Sequence, residues 1–213
     1  MKIYIVRHGE TESNKLGRLQ GQIDEKLNEN GILLAELTGD ALKGVHFDKA
    51  YSSHLIRAKK TAEIILERSN NTCPIEIDDR IIELNMGTYE GKSIKGDDPS
   101  VDMDMISIFM TNPLPMTGFP SGETFKGFLE RTQSFLKELA DKDYETVLVS
   151  THGCALRAML NFIYEDKEDF WHGHVPYNCA VNVLEVKDGN FRLIEDDSIY
   201  YDRKYIVDRY ERK

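Results

Sequence analysis

Three short clusters in this sequence carry side chains suited to handling a phosphate group. They are Arg7-His8-Gly9-Glu10-Thr11 near the start, Ser52-Ser53 leading to Arg57, and Thr151-His152-Gly153 late in the chain. A guanidinium offers a planar, permanently charged fork that matches two phosphate oxygens. An imidazole has an unperturbed pKa of about 6.5, so near pH 7 it is available as a neutral nucleophile. Two guanidiniums, two imidazoles and the amino end of a helix beginning near Gly153 would together hold a phosphate dianion.

The overall charge makes such a cluster necessary for any anionic ligand. The 213 residues carry a formal charge of −10. That disfavours nucleic acid and anionic membrane as partners, since both need a basic face to displace counterions. A small anionic substrate would need local arginine and histidine strong enough to reverse the field inside one cleft.

The elements that must position these clusters alternate. Ile3 to Val6 reads as a buried strand opening into a polar loop at Arg7 to Glu12. From Glu29, Ile32, Leu33, Leu37, Ala41 and Leu42 predict an amphipathic helix with those residues on its buried face, ended by Gly44. Phe47 to Tyr51 predicts a second strand, and Ser52-Ser53 N-caps for a helix running through Leu55, Ala58, Ala62, Ile65 and Leu66. Cys73 to Ile77 suits a third strand, and Asp78 to Gly91 a Gly-broken segment carrying Glu83.

Residues 92–120 hold four of the six prolines and one short helical stretch near Met103 to Met110, which predicts an inserted lid. Ser121 is then expected to cap a long helix carrying Phe125, Phe128, Leu129, Phe135, Leu136 and Leu139 on its core face. Thr146 to Ser150 predicts a strand, Cys154 to Ile163 a helix, and Ala180 to Val186 with Phe191 to Glu195 a hairpin turning at Asp188-Gly189. The tail from Tyr200 is charged and weakly patterned. The fold class is therefore α/β: one domain over 1–213, a three-layer α/β/α sandwich with a mostly parallel central sheet. Its ligand site is expected at the carboxyl ends of the strands.

Taken together, the Arg7 block with Asn14, the stretch Ser52-Ser53-His54-Leu55-Ile56-Arg57-Ala58 and Thr151-His152-Gly153 resemble the histidine phosphatase superfamily, which includes the cofactor-dependent phosphoglycerate mutases. Glu83 with Leu84 to Gly91 is similar to the family's acid-bearing segment, and Gln20-Gly21 with Asp24, Leu27, Asn28 and Gly31 also fits. The resemblance runs from residue 1 to about Asn182 and is weakest over 92–120. It implies that His8 is the nucleophile that becomes phosphohistidine. It further implies that Arg7, Asn14, Arg57 and His152 bind the phosphoryl group, with Gln20, Gly21 and Gly153 beside them, and that Glu83 protonates the leaving oxygen and then activates water.

Other carboxylates compete for the acid role: Glu10, Glu12, Glu90, and Glu123 at a helix start, where a carboxylate often serves only the dipole. His46, His54, His172 and His174 are read as loop or surface residues. The pair His172 and His174 lacks a cysteine or carboxylate partner at ligand spacing, so no metal or other cofactor is implied. Cys73, Cys154 and Cys179, odd in number and without CxxC pairing, suit reduced structural thiols in the cytoplasm. No apolar run approaches the roughly 18 residues of a membrane span, and no signal-peptide pattern precedes Ile3.

The lid bears on the reaction. Gly96 to Pro120 contains no Lys or Arg while Asp97, Asp98, Asp102 and Asp104 are acidic. A mutase must hold a carboxylate and a second phosphate, a poor match for that segment. The expected activity is hydrolysis of a small phosphorylated metabolite whose remainder is modest or apolar, to suit lid residues such as Met103, Met105, Met110 and Met116. A phosphoglycerate mutase and a noncatalytic phospho-ligand binder remain as alternatives. The oligomeric state stays open, a homodimer included.

Overall fold

The computed structural model describes residues 1–206. Their chain order is β1 (Lys2–Arg7), α1 (Glu12–Leu16), α2 (Glu29–Ala41), β2 (Lys49–Ser52), α3 (Ile56–Arg68), β3 (Ile75–Ile77), α4 (Met103–Thr111), α5 (Phe125–Ala140), β4 (Thr146–Thr151), α6 (Gly153–Leu160), β5 (Val181–Lys187) and β6 (Asn190–Ser198). The sheet runs β3-β2-β4-β1-β5-β6. Strands β1 to β4 are mutually parallel, and β5 and β6 are antiparallel to their neighbours. The expected α/β sandwich is what forms.

Period-two alternation in the central strands divides the core between two helical layers. Ile3, Ile5, Val147 and Val149 face Phe135, Leu136 and Leu139 of α5 and Leu156 and Met159 of α6. Val6, Leu148 and Ala50 point the other way, onto Ala62, Ile65 and Leu66 of α3. Burying both sheet faces explains why β1 and β4 are apolar almost throughout.

Of the residues expected on the buried face of α2, only Leu42, at its C-cap, is buried. Ile32 is exposed and Leu33 and Leu37 are half-buried, whereas Gly31, Leu34, Ala35, Thr38 and Gly39 are buried. Small residues face inward because backbones come close there. A Cβ on Gly31 would lie 2.1 Å from the Glu10 carbonyl oxygen, and one on Gly39 would lie 2.7 Å from Arg68 Cβ.

The caps also differ from expectation. Ser52 Oγ donates to the Ser53 carbonyl and Ser53 Oγ meets His152, so neither serine caps α3. Its first N–H, that of Ile56, donates instead to Asp24 Oδ1 at 2.8 Å, a cap supplied by a distant loop. Helix α5 is capped by Thr124, which accepts from Gly127 N; Ser121 has φ 61° and lies in the preceding turn. Helix α6 stops at Leu160, three residues short of Ile163, and β3 begins only after Pro74. The hairpin forms as expected, with Asp188 and Gly189 at φ 51° and 74°. Of the tail, Arg203–Tyr205 forms a short turn, and the remainder of that expectation lies outside the described residues.

Segment 92–120 packs as a roof rather than a loose loop. Val101, Ile106, Phe109 and Phe119 join Phe125 and Phe128 of α5, Ala155 and Ala158 of α6, and Trp171 in one cluster. Trp171 Nε1 donates to the Phe109 carbonyl at 2.8 Å, tying the end of α4 to the loop before β5. No helix among the described residues is long and apolar enough to cross a membrane.

Candidate active site

Strands β2, β4 and β1 are adjacent, so their carboxyl ends bring the three basic clusters to one place, as a doubly wound sheet dictates. There a cleft of about 440 Å³, open at its mouth, is walled by Arg7, His8, Asn14, Gln20, Gly21, Glu83 and Gly153 from the expected set. Arg57 and His152 stand behind that wall, both fully buried, against His8. The ring centroids of His8 and His152 are 5.2 Å apart.

His8 is fixed by its backbone surroundings. Its Nδ1 lies 2.7 Å from the Gly9 carbonyl oxygen, which needs a proton there and leaves Nε2 with its lone pair. Arg57 Nε, 3.3 Å away, donates to that lone pair. Burial, then the charges of Arg57 and Arg7, push the His8 pKa well below the usual imidazole value, so the ring is neutral at pH 7. His152 is held neutral in the same way, with Nε2 2.7 Å from Ser53 Oγ and a buried Nδ1 that meets no protein partner.

The guanidiniums are anchored by carbonyls. Arg57 donates to Ile23 O at 2.6 Å and Gly21 O at 2.7 Å, and burial pulls its pKa down to about 10. Gly21 therefore serves as a carbonyl anchor for Arg57. Arg7 donates through Nη1 to Pro176 O, and its buried Nε has no protein partner. Asn14 Oδ1 is engaged by Thr11 N at 3.2 Å and Asn178 Nδ2 at 3.2 Å, which leaves its amide nitrogen as the donor for the cleft. Gln20 lines the cleft, but its amide nitrogen is tied to Thr11 Oγ1 and Glu25 Oε2.

One expectation is corrected here. Two N–H groups at the amino end of α6 are already taken, because Cys154 N and Ala155 N donate to the Glu83 carboxylate at 3.1 and 3.0 Å, to which Leu84 N adds a third bond at 2.9 Å; Gly153 of the same end lines the cleft. Burial raises the Glu83 pKa above the ordinary carboxyl value, while these N–H groups and Arg57 pull it back. Its competitors are occupied elsewhere. Glu90 accepts from Gln22 N and Met86 N, Glu123 pairs with Arg131, Glu10 accepts from Asn28, and Glu12 sits in the first turn of α1. Only Glu83 of these five lines the cleft.

Sequence reasoning missed the supporting groups. Arg131 donates to the carbonyls of Arg80, Ile82 and Glu83, fixing the acid's backbone, and Thr61 Oγ1 accepts from Gly9 N at 2.9 Å. Arg18, Leu19, Met86, Phe109, Cys154, Trp171 and Val175 also line the cleft; of the lid methionines, Met110 reaches it. These residues come from distant segments and share no local motif. Among the described residues, no group of His, Cys, Asp and Glu has an arrangement able to hold a metal ion.

A helix-covered, mostly parallel sheet that gathers two histidines, two arginines and a buried carboxyl at its strand ends defines an α/β enzyme built for phosphoryl chemistry. The sequence profile of the histidine phosphatase superfamily, branch 1, matches residues 3–196, and the chain belongs to that superfamily. A metal-independent phosphoserine phosphatase of Arabidopsis thaliana is 35% identical over 196 residues, covering 88% of this chain and 77% of its own. A probable fructose-2,6-bisphosphatase, TIGAR A of Danio rerio, is 40% identical over 139 residues, 63% of this chain; the match spans about half (52%) of that relative's length. The solved structure of YhfR from Bacillus stearothermophilus superposes with a TM-score of 0.82 at 30% identity, covering 93% of this chain and 97% of that one.

Proposed function

We propose that the chain is a single catalytic domain that hydrolyses small phosphate monoesters without a metal, by way of a phosphohistidine on His8. The carrying observation is the His8 ring itself: Nδ1 committed to Gly9 O, Nε2 unprotonated, and burial keeping it so. In the first step the Nε2 lone pair attacks phosphorus and the bond to the ester oxygen breaks. Glu83 gives that oxygen its proton, and the alcohol leaves. In the second step Glu83 takes a proton from water as the water oxygen attacks phosphorus, the N–P bond breaks and inorganic phosphate is released. Arg7, Arg57, Asn14 and His152 offset the charge on the transferring group.

Hydrolysis is favoured over mutase chemistry by the roof. Segment 96–120 carries no Lys or Arg, and α4 presents Phe109 and Met110 to the cleft. Arg18 at the mouth is the one wall cation beyond Arg7 among the described residues. The matching substrate is a monophosphate whose remainder is compact and largely uncharged. Phosphoserine and fructose 2,6-bisphosphate, which the relatives' names give, carry a further anionic group. Three free cysteines suit a reducing compartment such as the cytoplasm.

The test is release of inorganic phosphate from a panel of monoesters, bisphosphates and phosphoglycerates without added metal, in the parent and in His8→Ala. Release by the parent that disappears in the variant supports the reading. Interconversion of phosphoglycerates without release would replace it with a mutase, and unchanged release in His8→Ala would remove His8 from the chemistry.

A further inference from the structure

Beside the cleft, one asparagine fixes another. Asn178 Nδ2 lies 3.0 Å from the His8 carbonyl oxygen and 3.2 Å from Asn14 Oδ1. A backbone carbonyl can only accept, so the contact with His8 settles which way the Asn178 amide is turned. Its nitrogen carries two N–H groups, one for each acceptor. The amide therefore ties the backbone of His8 to a side chain on the cleft wall.

That side chain has a direction to keep. A carboxamide presents an acceptor at one end and a donor at the other, and only the donor end suits an anion. Thr11 N and Thr11 Oγ1 meet Asn14 Oδ1 at 3.2 and 3.3 Å, but both belong to the cap of α1, the five-residue helix that carries Asn14 itself. They move with it. Asn178 reaches the same oxygen from 164 residues further along the chain, and so references the Asn14 amide to the central sheet.

The backbone around Asn178 is built to hold it there. Cys179 N donates to the Arg7 carbonyl at 3.0 Å and Arg7 N to the Ala180 carbonyl at 3.2 Å, which extends the pairing of β1 with β5 beyond the start of β5. Tyr201 Oη, from the segment after β6, donates to the Asn178 carbonyl. Cys179 is fully buried at φ 56°, a left-handed conformation that is costly for a residue with a Cβ. Such a turn persists where surrounding bonds over-determine it, and this one lies directly between the strand pairing and the Asn178 amide.

We propose that Asn178 is a positioning residue whose amide holds Asn14 Oδ1 and so turns the Asn14 amide nitrogen toward the phosphoryl group. The assignment rests on the reading that Asn14 contacts that group. Without the tie, Asn14 can present its oxygen, which repels an anion. His8 keeps its other bonds, from its N to the Thr151 carbonyl at 2.9 Å and from its ring to Gly9 O. Loss of Asn178 therefore acts on phosphate binding more than on the chemical step, and appears in KM before kcat.

The experiment is a double-mutant cycle on binding of inorganic phosphate, measured by titration calorimetry, with Asn178→Leu and Asn14→Ala made singly and together. Leucine keeps the size and neutrality of asparagine and removes its donor; Asn178→Ala repeats the arm if leucine does not pack. Asn178→Leu should weaken phosphate about fivefold, in line with the loss of one hydrogen bond. In the Asn14→Ala background the same change should weaken it by less than about 1.5-fold, since the side chain it orients is gone. On a phosphate monoester, Asn178→Leu should raise KM about fivefold while kcat changes less than about twofold. A fivefold loss of affinity that persists in the Asn14→Ala background overturns the assignment, because Asn178 then acts through His8 or through the fold at large. A fall in kcat at constant KM does the same, as does a variant that melts earlier but binds phosphate like the parent. A parent that binds no phosphate overturns the phosphate-site reading and this assignment with it, whereas a parent that binds phosphate and tolerates Asn178→Leu overturns the assignment alone.

Discussion

At the floor of the cleft the charged groups are held by backbone partners, whereas the roof meets the cleft through apolar side chains. Arg57 is held by the carbonyls of Gly21 and Ile23, His8 by Gly9, and Glu83 by three backbone N–H groups. Over them, Phe109 and Met110 present apolar side chains to the cleft from a segment tied to the body by backbone hydrogen bonds at its two ends, by Asp102 and Asn112, and by the bond from Trp171 Nε1 to Phe109 O. Buried charge with fixed partners suits a step common to all substrates, because it costs no reorganisation during reaction. Adaptable apolar contacts suit selection among leaving groups. Floor substitutions should therefore change rates uniformly, and roof substitutions should change rank order.

The largest expected effect tests the floor. Glu83→Gln keeps the shape but removes the transferable proton, so kcat should fall about 10²- to 10⁴-fold for every ester hydrolysed, with phosphoenzyme accumulating if its hydrolysis becomes limiting. Labelling on the nitrogen of His8, quenched in alkaline denaturant because the N–P bond is acid-labile, and steady-state rates on three esters check this. A loss confined to one ester would break the division between floor and roof.

The next effect is on stability. His8 and His152 are held neutral in the folded chain, while in the unfolded chain they protonate below about pH 6.5. The unfolded state then binds more protons, so stability falls as pH drops through that range, by at most about 1.4 kcal/mol per pH unit for each histidine. Glu83, with its pKa raised, acts in the opposite sense: the stability its retained proton brings is lost as pH rises through its folded value. Urea unfolding between pH 7 and 5.5 should show the fall, and His152→Asn should remove about half of the histidine contribution. An unchanged slope would mean that His152 is charged in the folded state.

Roof chemistry is sharpened by Met110→Arg, which places a cation where α4 meets the cleft. Selectivity for a bisphosphate or carboxylated phosphate over a neutral-tailed monoester should shift about tenfold, read as a ratio of kcat/KM values. The same factor on both substrates would make Met110 part of the floor.

This division also marks what could be read in advance. Arg7, His8, Arg57 and His152 follow strand ends, so a local pattern located them, and topology then required them to meet. The face of α2 was illegible, because Gly31 and Gly39 are buried by close backbone approach, which hydrophobic periodicity does not register. Ser52 and Ser53 looked like caps, but Ser53 is drawn to His152 and the cap comes from Asp24, more than thirty residues away in sequence. The occupation of the α6 amino end by Glu83 was equally hidden, since a free N–H and one bonded to a distant carboxylate have the same sequence. Non-local hydrogen bonds are the common cause of these misses.

The smallest effect bears most directly on whether roof and floor are separate units. Asp102 caps α4, its Oδ1 accepting from Asp104 N at 2.9 Å and Met105 N at 3.3 Å, while its own backbone N–H stays bonded to Tyr89 Oη. Replacing such a cap with alanine costs about 1 kcal/mol, which is about a fivefold change in a local opening equilibrium. Asp102→Ala should therefore speed amide exchange about fivefold over Met103–Thr111 and leave Gly9, Cys154 and Ala155 unchanged. The kcat on the smallest ester should hold while discrimination among larger esters weakens. If the floor amides speed up by the same factor, lid and floor open together, and fixed charge below with adaptable packing above would be one cooperative unit rather than two.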